Sequence, residues 1–212
     1  MPVLFFVSTC LIMFLLFLPF KDTFNLLVSA VTVTDTPDTK KIPSIFDETK
    51  QQDVEAVDNK IPSSKIEYPS LGTEYGVVII DKFNVQAKLI YGDSPDDLRV
   101  GVGHFNGSVF PGEAGTTLIG GHNTSDLAAL DGLTENDTIT IKTSYETYQY
   151  KVTKKLVARF DDKKAIESLY QKSENNILIL YTCYPIDMIG LTDDRLFVTA
   201  ELISGKMVDP NN

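Results

Sequence analysis

Few side chains in this sequence could act as a nucleophile or as a general acid. The cysteines are Cys10 and Cys183, and the histidines are His104 and His122. Cys10 lies within a long apolar run, so Cys183 is expected to be a free thiol. A thiolate attacks a peptide carbonyl, and a paired imidazolium then protonates the departing amine. The sequence therefore contains the groups needed for cysteine-based cleavage of an amide bond.

Three side chains that could act together each lie at one end of an apolar run typical of a β-strand. They are His122 after Leu118–Gly121, Cys183 after Ile179–Thr182, and Arg195 before Leu196–Val198. The guanidinium of Arg195 would donate hydrogen bonds to the oxyanion of a tetrahedral intermediate. Taken alone, each residue has an ordinary alternative: a buried structural cysteine, a turn histidine, or a surface arginine paired with Asp193 or Asp194.

Length and charge limit the classes of protein to which the chain could belong. Its 212 residues suffice for one domain with a sizeable core and a non-globular remainder. The formal net charge of -10 argues against a nucleic-acid partner, because phosphate backbones attract clusters of Lys and Arg. We therefore expect no binding of nucleic acid.

An uncharged apolar segment at the N-terminus indicates export. Residues 3–20 contain no charged side chain and have roughly the length that crosses a bilayer as a helix. We interpret residues 1–20 as a transmembrane anchor or an uncleaved signal, although Val28–Ala30 resembles a signal-peptidase site. In either case we expect a catalytic domain outside the cytoplasm, held at the cell membrane by a single span.

Composition divides the rest of the chain into three parts. Residues 21–70 are predicted to be a flexible extracytoplasmic linker, since much of this stretch is too polar to offset the entropy of ordering. Residues 71–205 are predicted to form the catalytic domain, and residues 206–212 a C-terminal tail.

Beyond Leu71, many apolar residues alternate with polar ones, which indicates β-strands. The predicted strands are Tyr75–Ile80, Val85–Tyr91, Thr116–Gly120, Thr138–Ile141, Thr147–Val157, Ile177–Tyr181 and Leu196–Leu202. Two short helices are predicted at Asp96–Val100 and Asp162–Lys172, the second capped by Asp161 or Asp162. This pattern predicts an all-β domain that closes, or nearly closes, into a barrel.

Several motifs in the chain resemble those of sortases, the membrane-anchored cysteine transpeptidases of Gram-positive bacteria. The strand-end histidine motif corresponds to Thr117–His122, the T-L-x-T-C motif to Ile179–Cys183 with Ile at its first position, and the R-x-x-V/L motif to Arg195–Val198. These motifs follow the family's order, and Gly101–Phe105 with Phe110–Glu113 resembles the family's preceding G-x-G-H…P-G segment. The resemblance covers about residues 72–204 and implies an eight-stranded β-barrel with a few short helices.

The resemblance also implies a site and a reaction. His122, Cys183 and Arg195 would be the catalytic residues. The backbone N–H of Tyr184, together with Thr182, would bind the substrate or the oxyanion. The enzyme would cleave an LPxTG-like sorting signal of secreted proteins, hold the acyl group on Cys183, and transfer it to an amine of a lipid-linked peptidoglycan precursor. The resemblance implies no metal and no cofactor, and calcium activation stays open.

Other interpretations of the same residues differ in their motif order or in their chemistry. A papain-like peptidase places its cysteine before its histidine, and an L,D-transpeptidase carries an S-H-G-C run that this sequence lacks. Another exported cysteine peptidase or hydrolase stays open, as does a β-domain that binds wall polymer without catalysis. Loss of function on Cys183→Ala would separate a catalyst from a binding module.

Within the sortases, the sequence favours class D, with classes A and E as alternatives. Residues 157–177 contain one short predicted helix and lack the longer helical insertion of class B. No D-P-W or D-P-F motif of class C precedes the predicted barrel. By the same resemblance, His104 is a non-catalytic histidine, as expected for a loop histidine in general.

Overall fold

The computed structural model describes most of the chain beyond residue 58. The described residues are 42–49, 59–169, 175–188 and 192–211, with the single residues Phe6, Ala56 and Gly190. The chain divides into two units, 1–41 and 42–212, and everything below concerns the second. The predicted anchor at residues 1–20 lies outside the described residues, apart from Phe6. Among the described residues, no helix combines the length and the apolar character that a membrane span requires.

The second unit consists mainly of strands. They are β1 (Ile61–Pro62), β2 (Thr73–Ile80), β3 (Val85–Tyr91), β4 (Val102–His104), β5 (Gly115–Gly121), β6 (Thr138–Thr143), β7 (Thr147–Arg159), β8 (Asn176–Tyr184), β9 (Asp194–Ser204) and β10 (Val208–Asp209). The described residues of this unit contain two short helices, α1 (Pro95–Leu98) and α2 (Lys163–Leu169). Single 3₁₀ segments lie at Ser63–Lys65, Asp81–Phe83 and Asp126–Gly132.

Eight of the strands close into a barrel, which confirms the predicted fold class. Their order around the barrel is β2-β3-β4-β5-β8-β9-β7-β6. Two neighbouring pairs, β3 with β4 and β5 with β8, run parallel, and the others are antiparallel. Parallel neighbours cannot be joined by a tight turn and need a long crossover connection. For β5 and β8 this connection contains β6, β7 and α2.

The alternation of side chains along each strand separates an interior from an exterior face. On β8, Leu178 and Leu180 are fully buried in the barrel interior, and on β9 Leu196 and Val198 are buried beside them. The interior also holds aromatic side chains, including the fully buried Tyr75. The inward-facing apolar positions that predicted the strands therefore form one continuous core.

The folded unit begins earlier in the chain than the predicted boundary at residue 71. Ile61 is 1% exposed and Ile66 8% exposed, and both belong to the barrel core. β1 pairs in parallel with β10, where Val208 is 5% exposed. The Tyr68 hydroxyl donates to the Glu113 carboxylate at 2.8 Å. Residues 59–70 of the predicted linker and part of the predicted tail therefore belong to the domain, because isolated apolar side chains in a polar stretch bury themselves on the barrel.

The two helices lie where the sequence predicts them. In α1, Ser94 and Asp97 cap the N-terminus reciprocally, and Pro95 occupies the first turn. In α2, the Asp162 carboxylate accepts a hydrogen bond from the Ala165 backbone N–H at 2.9 Å, so Asp162 is the capping residue. α2 ends at Leu169, and residues 170–172 of the predicted helix lie outside the described residues.

Candidate active site

The register of three neighbouring strands brings the predicted catalytic residues side by side. Cys183 on β8 is the direct antiparallel partner of Arg195 on β9. In the parallel pair of β5 and β8, the last aligned residues are Gly121 and Thr182. His122 is the next residue after Gly121, and Cys183 is the next residue after Thr182. Neighbouring strands lie about 4.8 Å apart, and directly opposed side chains share one face of the sheet. Cys183 and Arg195 therefore share one face of the sheet, and His122 comes one residue after the aligned end of β5; these three residues are called the row.

That row lies on the exterior of the barrel. Thr182 is 1% exposed, and its hydroxyl donates to the Gly121 carbonyl at 2.8 Å. Because successive residues of a strand point to opposite faces, Cys183 emerges outward. Its free thiol is partly exposed, and His122 is exposed. A nucleophile in this position can meet a macromolecular substrate without any opening of the barrel.

Arg195 is held by carbonyl oxygens rather than by a carboxylate. Its Nη1 donates to the backbone carbonyls of Thr192 and Asp194, both at 2.8 Å. The guanidinium carbon lies 5.9 Å from the centre of the Phe160 ring. Asp193 pairs with Arg159 instead, at 3.2 Å. Among the described residues, Arg195 forms no ion pair, which disfavours the surface-ion-pair alternative.

These contacts orient a charge that is not neutralised. One guanidinium nitrogen is used for anchoring, and no hydrogen-bond partner of Nε or Nη2 is found in the part of the chain that the structure describes. Guanidinium donors fixed in place and left available are what an oxyanion requires, because they need no reorganisation when the negative charge develops. The arrangement is therefore suited to stabilising an anion next to the thiol.

The other two predicted site residues flank the thiol in different ways. Thr182 faces the interior, where its hydroxyl joins β8 to β5, so the side chain supports the strand pair and does not share the face of Cys183. Tyr184 is partly buried and packs against the barrel core, at the last pair of the β8–β9 ladder. The roles of the Tyr184 backbone N–H and of Thr182 in binding substrate stay predictions.

His104 lies in a different environment from His122. It is fully buried, with Nδ1 2.8 Å from the Tyr75 hydroxyl and Nε2 3.1 Å from the Val109 carbonyl. A carbonyl can only accept, so Nε2 carries the proton and Nδ1 accepts from Tyr75. Burial lowers the pKa of His104 from 6.5 to about 4, which keeps the ring neutral. His104 is therefore a hydrogen-bonded core residue.

An apolar patch lies next to the row on the outer side of the barrel wall. This outer apolar surface has a buried centre of Leu118, Ile179 and Phe197, each at most 9% exposed, and a partly exposed margin of Phe105, Ala158, Leu169, Ile177 and Tyr181 packed against it. Tyr181 and Phe197 are cross-strand partners whose rings stack with centres 6.1 Å apart. They lie one step along the same face from Cys183 and Arg195.

Gly120 makes room for this aromatic pair. A Cβ on Gly120 would lie 2.5 Å from the ring carbon Cζ of Tyr181, so the tyrosine ring lies across β5 where only a glycine permits it. Gly120 is also the cross-strand partner of Tyr181. The partly exposed Tyr181 ring therefore lies on the outer face of the sheet, two residues before the thiol.

No metal centre is evident in this arrangement. Among the described residues, no group of three or more His, Cys, Asp and Glu side chains could hold a metal ion. The row offers a thiol, an imidazole and a guanidinium, groups of the kinds that acyl transfer through a covalent thioester uses.

Comparison with known proteins agrees with this geometry. A family model described as a sortase domain matches residues 78–203, which is more than half of the chain and includes all three residues of the row. The chain belongs to the sortase family. This sortase is similar to Sortase D of Bacillus subtilis (strain 168), with 29% identity over 136 residues that cover 64% of this chain and 67% of that protein.

Solved sortase structures resemble this one in fold. A Sortase D5 transpeptidase from Clostridium perfringens is 26% identical, with a TM-score of 0.56 over 65% of this chain and 83% of that one. Sortase C from Clostridium perfringens SM101 is 26% identical, with a TM-score of 0.56 over 64% of this chain and 72% of that one. Structures named sortase C and Sortase D5 are therefore both similar in fold to this chain.

The sequence motifs identify the row but not the surface beside it. Tyr181 lies two positions before Cys183, and Phe197 two positions after Arg195, so the strand period of two places each pair on one face. That spacing is visible in the sequence. The cross-strand pairing that brings Tyr181 onto Phe197 and Gly120 depends on a register that alternation alone does not specify.

Proposed function

We propose that this sortase cleaves an LPxTG-like sorting signal and transfers the resulting acyl group from Cys183 to an amine. As a member of the family, the protein is a cysteine transpeptidase. The proposal adds the residues, the substrate and the acceptor. It is supported above all by one observation, the register that pairs Cys183 with Arg195 and aligns the end of β5, one residue before His122, with Thr182.

The reaction divides among the three side chains. The Cys183 thiolate attacks the scissile carbonyl carbon, and Arg195 donates hydrogen bonds to the oxyanion that forms. His122, as imidazolium, protonates the leaving amine when the C–N bond breaks, which produces a thioester on Cys183. A second amine then attacks the thioester, His122 accepts its proton, and the thiolate leaves. The cycle needs no oxidant, reductant or cofactor.

The surroundings of the row support a peptide substrate. The outer apolar surface adjoins the thiol on the same face, so residues that precede the scissile bond can contact the partly exposed Tyr181 ring, which stacks on the buried Phe197. Apolar and proline side chains of an LPxTG-like signal would bury surface there, and polar or charged residues would not. The side chains of that surface are uncharged, whereas Arg195 in the row supplies the positive charge that meets the developing anion.

The setting of the enzyme follows from the N-terminal sequence. Residues 3–20 are uncharged and apolar, and we propose that they anchor the protein as a single membrane span with the barrel outside the cytoplasm. There the enzyme would meet secreted proteins that carry C-terminal sorting signals and the amine of a lipid-linked peptidoglycan precursor. We propose no metal or other cofactor, and calcium activation is tested by adding and chelating Ca²⁺ in the assay below.

Intact-mass analysis of the purified full-length chain tests the proposal. Incubation with a sorting peptide should add the mass of the peptide up to its threonine, and Cys183→Ala should abolish this adduct. Hydroxylamine should release the acyl group as a hydroxamate, because thioesters react with amine nucleophiles. An adduct on another residue would overturn the assignment. A free acid as the only product, even with excess amine, would make the protein a hydrolase, and no adduct with any peptide would favour the wall-binding alternative.

A further inference from the structure

A buried asparagine connects the chain after the histidine to the chain after the cysteine. Asn123 follows His122 directly and is only 6% exposed. Its side-chain Nδ2 donates to the Pro185 carbonyl at 2.8 Å and to the Met188 carbonyl at 3.3 Å. Its own backbone carbonyl accepts from the Asp187 N–H at 3.5 Å. Three hydrogen bonds thus join the two segments that follow β5 and β8.

The chemistry of this contact makes an amide the appropriate side chain. Two backbone carbonyls converge on one side-chain group, and only a group with two N–H donors satisfies both. Because the asparagine is buried, loss of these donors would leave carbonyl oxygens without partners, which native structures avoid. An aspartate has the same shape but would oppose two oxygens with a negative charge, so shape alone does not explain the residue.

The position of the contact matters because of where β5 ends. Cys183 lies within the β8–β9 ladder, where Arg195 is its partner. The ladder of β5 with β8 ends at the pair of Gly121 and Thr182, one residue before His122. His122 therefore lies between two fixed points, the end of the ladder at Gly121 and the hydrogen bonds of Asn123. Both points are attached to the strand or loop that carries the thiol.

We propose that Asn123 is a positioning residue that holds the His122 imidazole at the distance from Cys183 that proton transfer requires. The inference rests on the proposed function, since it assigns Asn123 a part in that reaction. It acts through His122 and touches neither the substrate nor the thiol. A displacement of about 1 Å of a catalytic group can cost on the order of 10²-fold in rate, so a loosened His122 should be visible in kinetics.

A double-mutant cycle on thioester formation tests the proposal with the full-length chain. The rate of acylation of Cys183 by a sorting peptide is measured by intact mass for the wild type, Asn123→Ala, His122→Ala and the double variant. Asn123→Ala should lower the rate about 10- to 100-fold at saturating peptide, with little change in KM. In the His122→Ala background, the same change should cost less than about 2-fold, because the group that it positions is gone.

Two further variants keep the result interpretable. Asn123→Asp preserves the side-chain volume and should reduce the rate at least as much as Asn123→Ala. Such a result would show that the loss of rate in Asn123→Ala does not come from the cavity that the alanine leaves. Asn211→Ala, an exposed asparagine near the C-terminus, should leave the rate unchanged. Thermal unfolding of each variant, with assays run well below its Tm, separates lost positioning from lost structure.

The outcomes distinguish this inference from the proposed function. An equal loss in both backgrounds would overturn it, because Asn123 would then act on the fold or on the thiol and not through His122. A wild-type rate in both folded variants at position 123 would overturn it as well. If the wild type forms no thioester on Cys183 with any sorting peptide, the proposed function fails first and the positioning role fails with it.

Discussion

The buried histidine predicts how the stability of the barrel depends on pH. Burial lowers the pKa of His104 to about 4, against an ordinary value of 6.5 in the unfolded chain. Between these two pKa values His104 is protonated in the unfolded state and neutral in the folded state, so a falling pH favours unfolding. At 1.36 kcal/mol per pKa unit, the free energy of unfolding should fall by roughly 2 to 3 kcal/mol as the pH drops from 7 to 4.5.

The surroundings of His104 explain why the folded state does not bind the proton. Tyr75 donates to one ring nitrogen, and the pKa of Tyr75 is raised by its own burial, so it stays neutral. The Tyr91 and Phe110 rings pack at 5.4 Å and 4.9 Å from the imidazole, centre to centre. No carboxylate hydrogen-bonds to the ring among the described residues, so an imidazolium there would lack a hydrogen-bonded counter-charge.

Urea unfolding followed by circular dichroism between pH 7 and pH 4.5 measures the effect. The window is informative because the chain has only two histidines and most carboxylates titrate below it. His104→Gln should flatten the pH dependence, while His122→Gln should preserve it. Burial raises the pKa of Asp126, which acts in the opposite direction, and Asp126→Asn removes that contribution. Equal slopes for the wild type and His104→Gln would refute the reasoning.

Three further predictions concern the catalytic row and the surface beside it. His122→Ala should lower turnover of a sorting peptide by about 10²- to 10⁴-fold, and a smaller loss would show that another group supplies the proton. Arg195→Lys should slow thioester formation by about 10²- to 10³-fold while iodoacetamide alkylates the thiol at nearly the wild-type rate, and a parallel fall in both rates would make Arg195 a modulator of the thiol. Gly120→Ala should displace the Tyr181 ring and raise KM for the peptide more than it lowers kcat, whereas an unchanged KM would exclude that ring from substrate binding.

The parts of the fold that sequence predicted best are those with long alternating patterns. β7 and β9 contain 13 and 11 residues, and the period of two in their apolar positions indicated both the strands and the buried faces. β4 was not predicted as a strand because it has only three residues, one of them Gly103, which is too short for a period to be recognised. The burial of Ile61 was not predicted because Ile61 is one apolar residue within a polar stretch, and it is buried beside β10 from the other end of the chain.

The candidate site, like the fold, could be predicted from the sequence only in part. Motif order predicted His122, Cys183 and Arg195, and the ladders pair Cys183 with Arg195 and align the end of β5, one residue before His122, with Thr182. The motifs did not predict that Thr182 faces inward, although the outward position of its neighbour implies it by alternation. Asn123 could not be found from the sequence, because its partners are backbone carbonyls more than sixty residues away and carbonyls have no sequence signature.

The alternation of β8 between interior and exterior has a consequence for how such an enzyme can diversify. Leu180 and Tyr181 are adjacent in the chain, yet the first contributes to the barrel core and the second to the surface beside the thiol. Truncation at a core position such as Leu180 typically costs about 2 to 5 kcal/mol, which a domain of ordinary stability tolerates poorly. Under the proposed function, substitution at Tyr181 would change what the surface accepts without touching the packing of the interior. One strand thereby carries two sets of positions, so substrate preference can drift at a partly exposed outer position such as Tyr181 while inward positions such as Leu180 keep the scaffold constant.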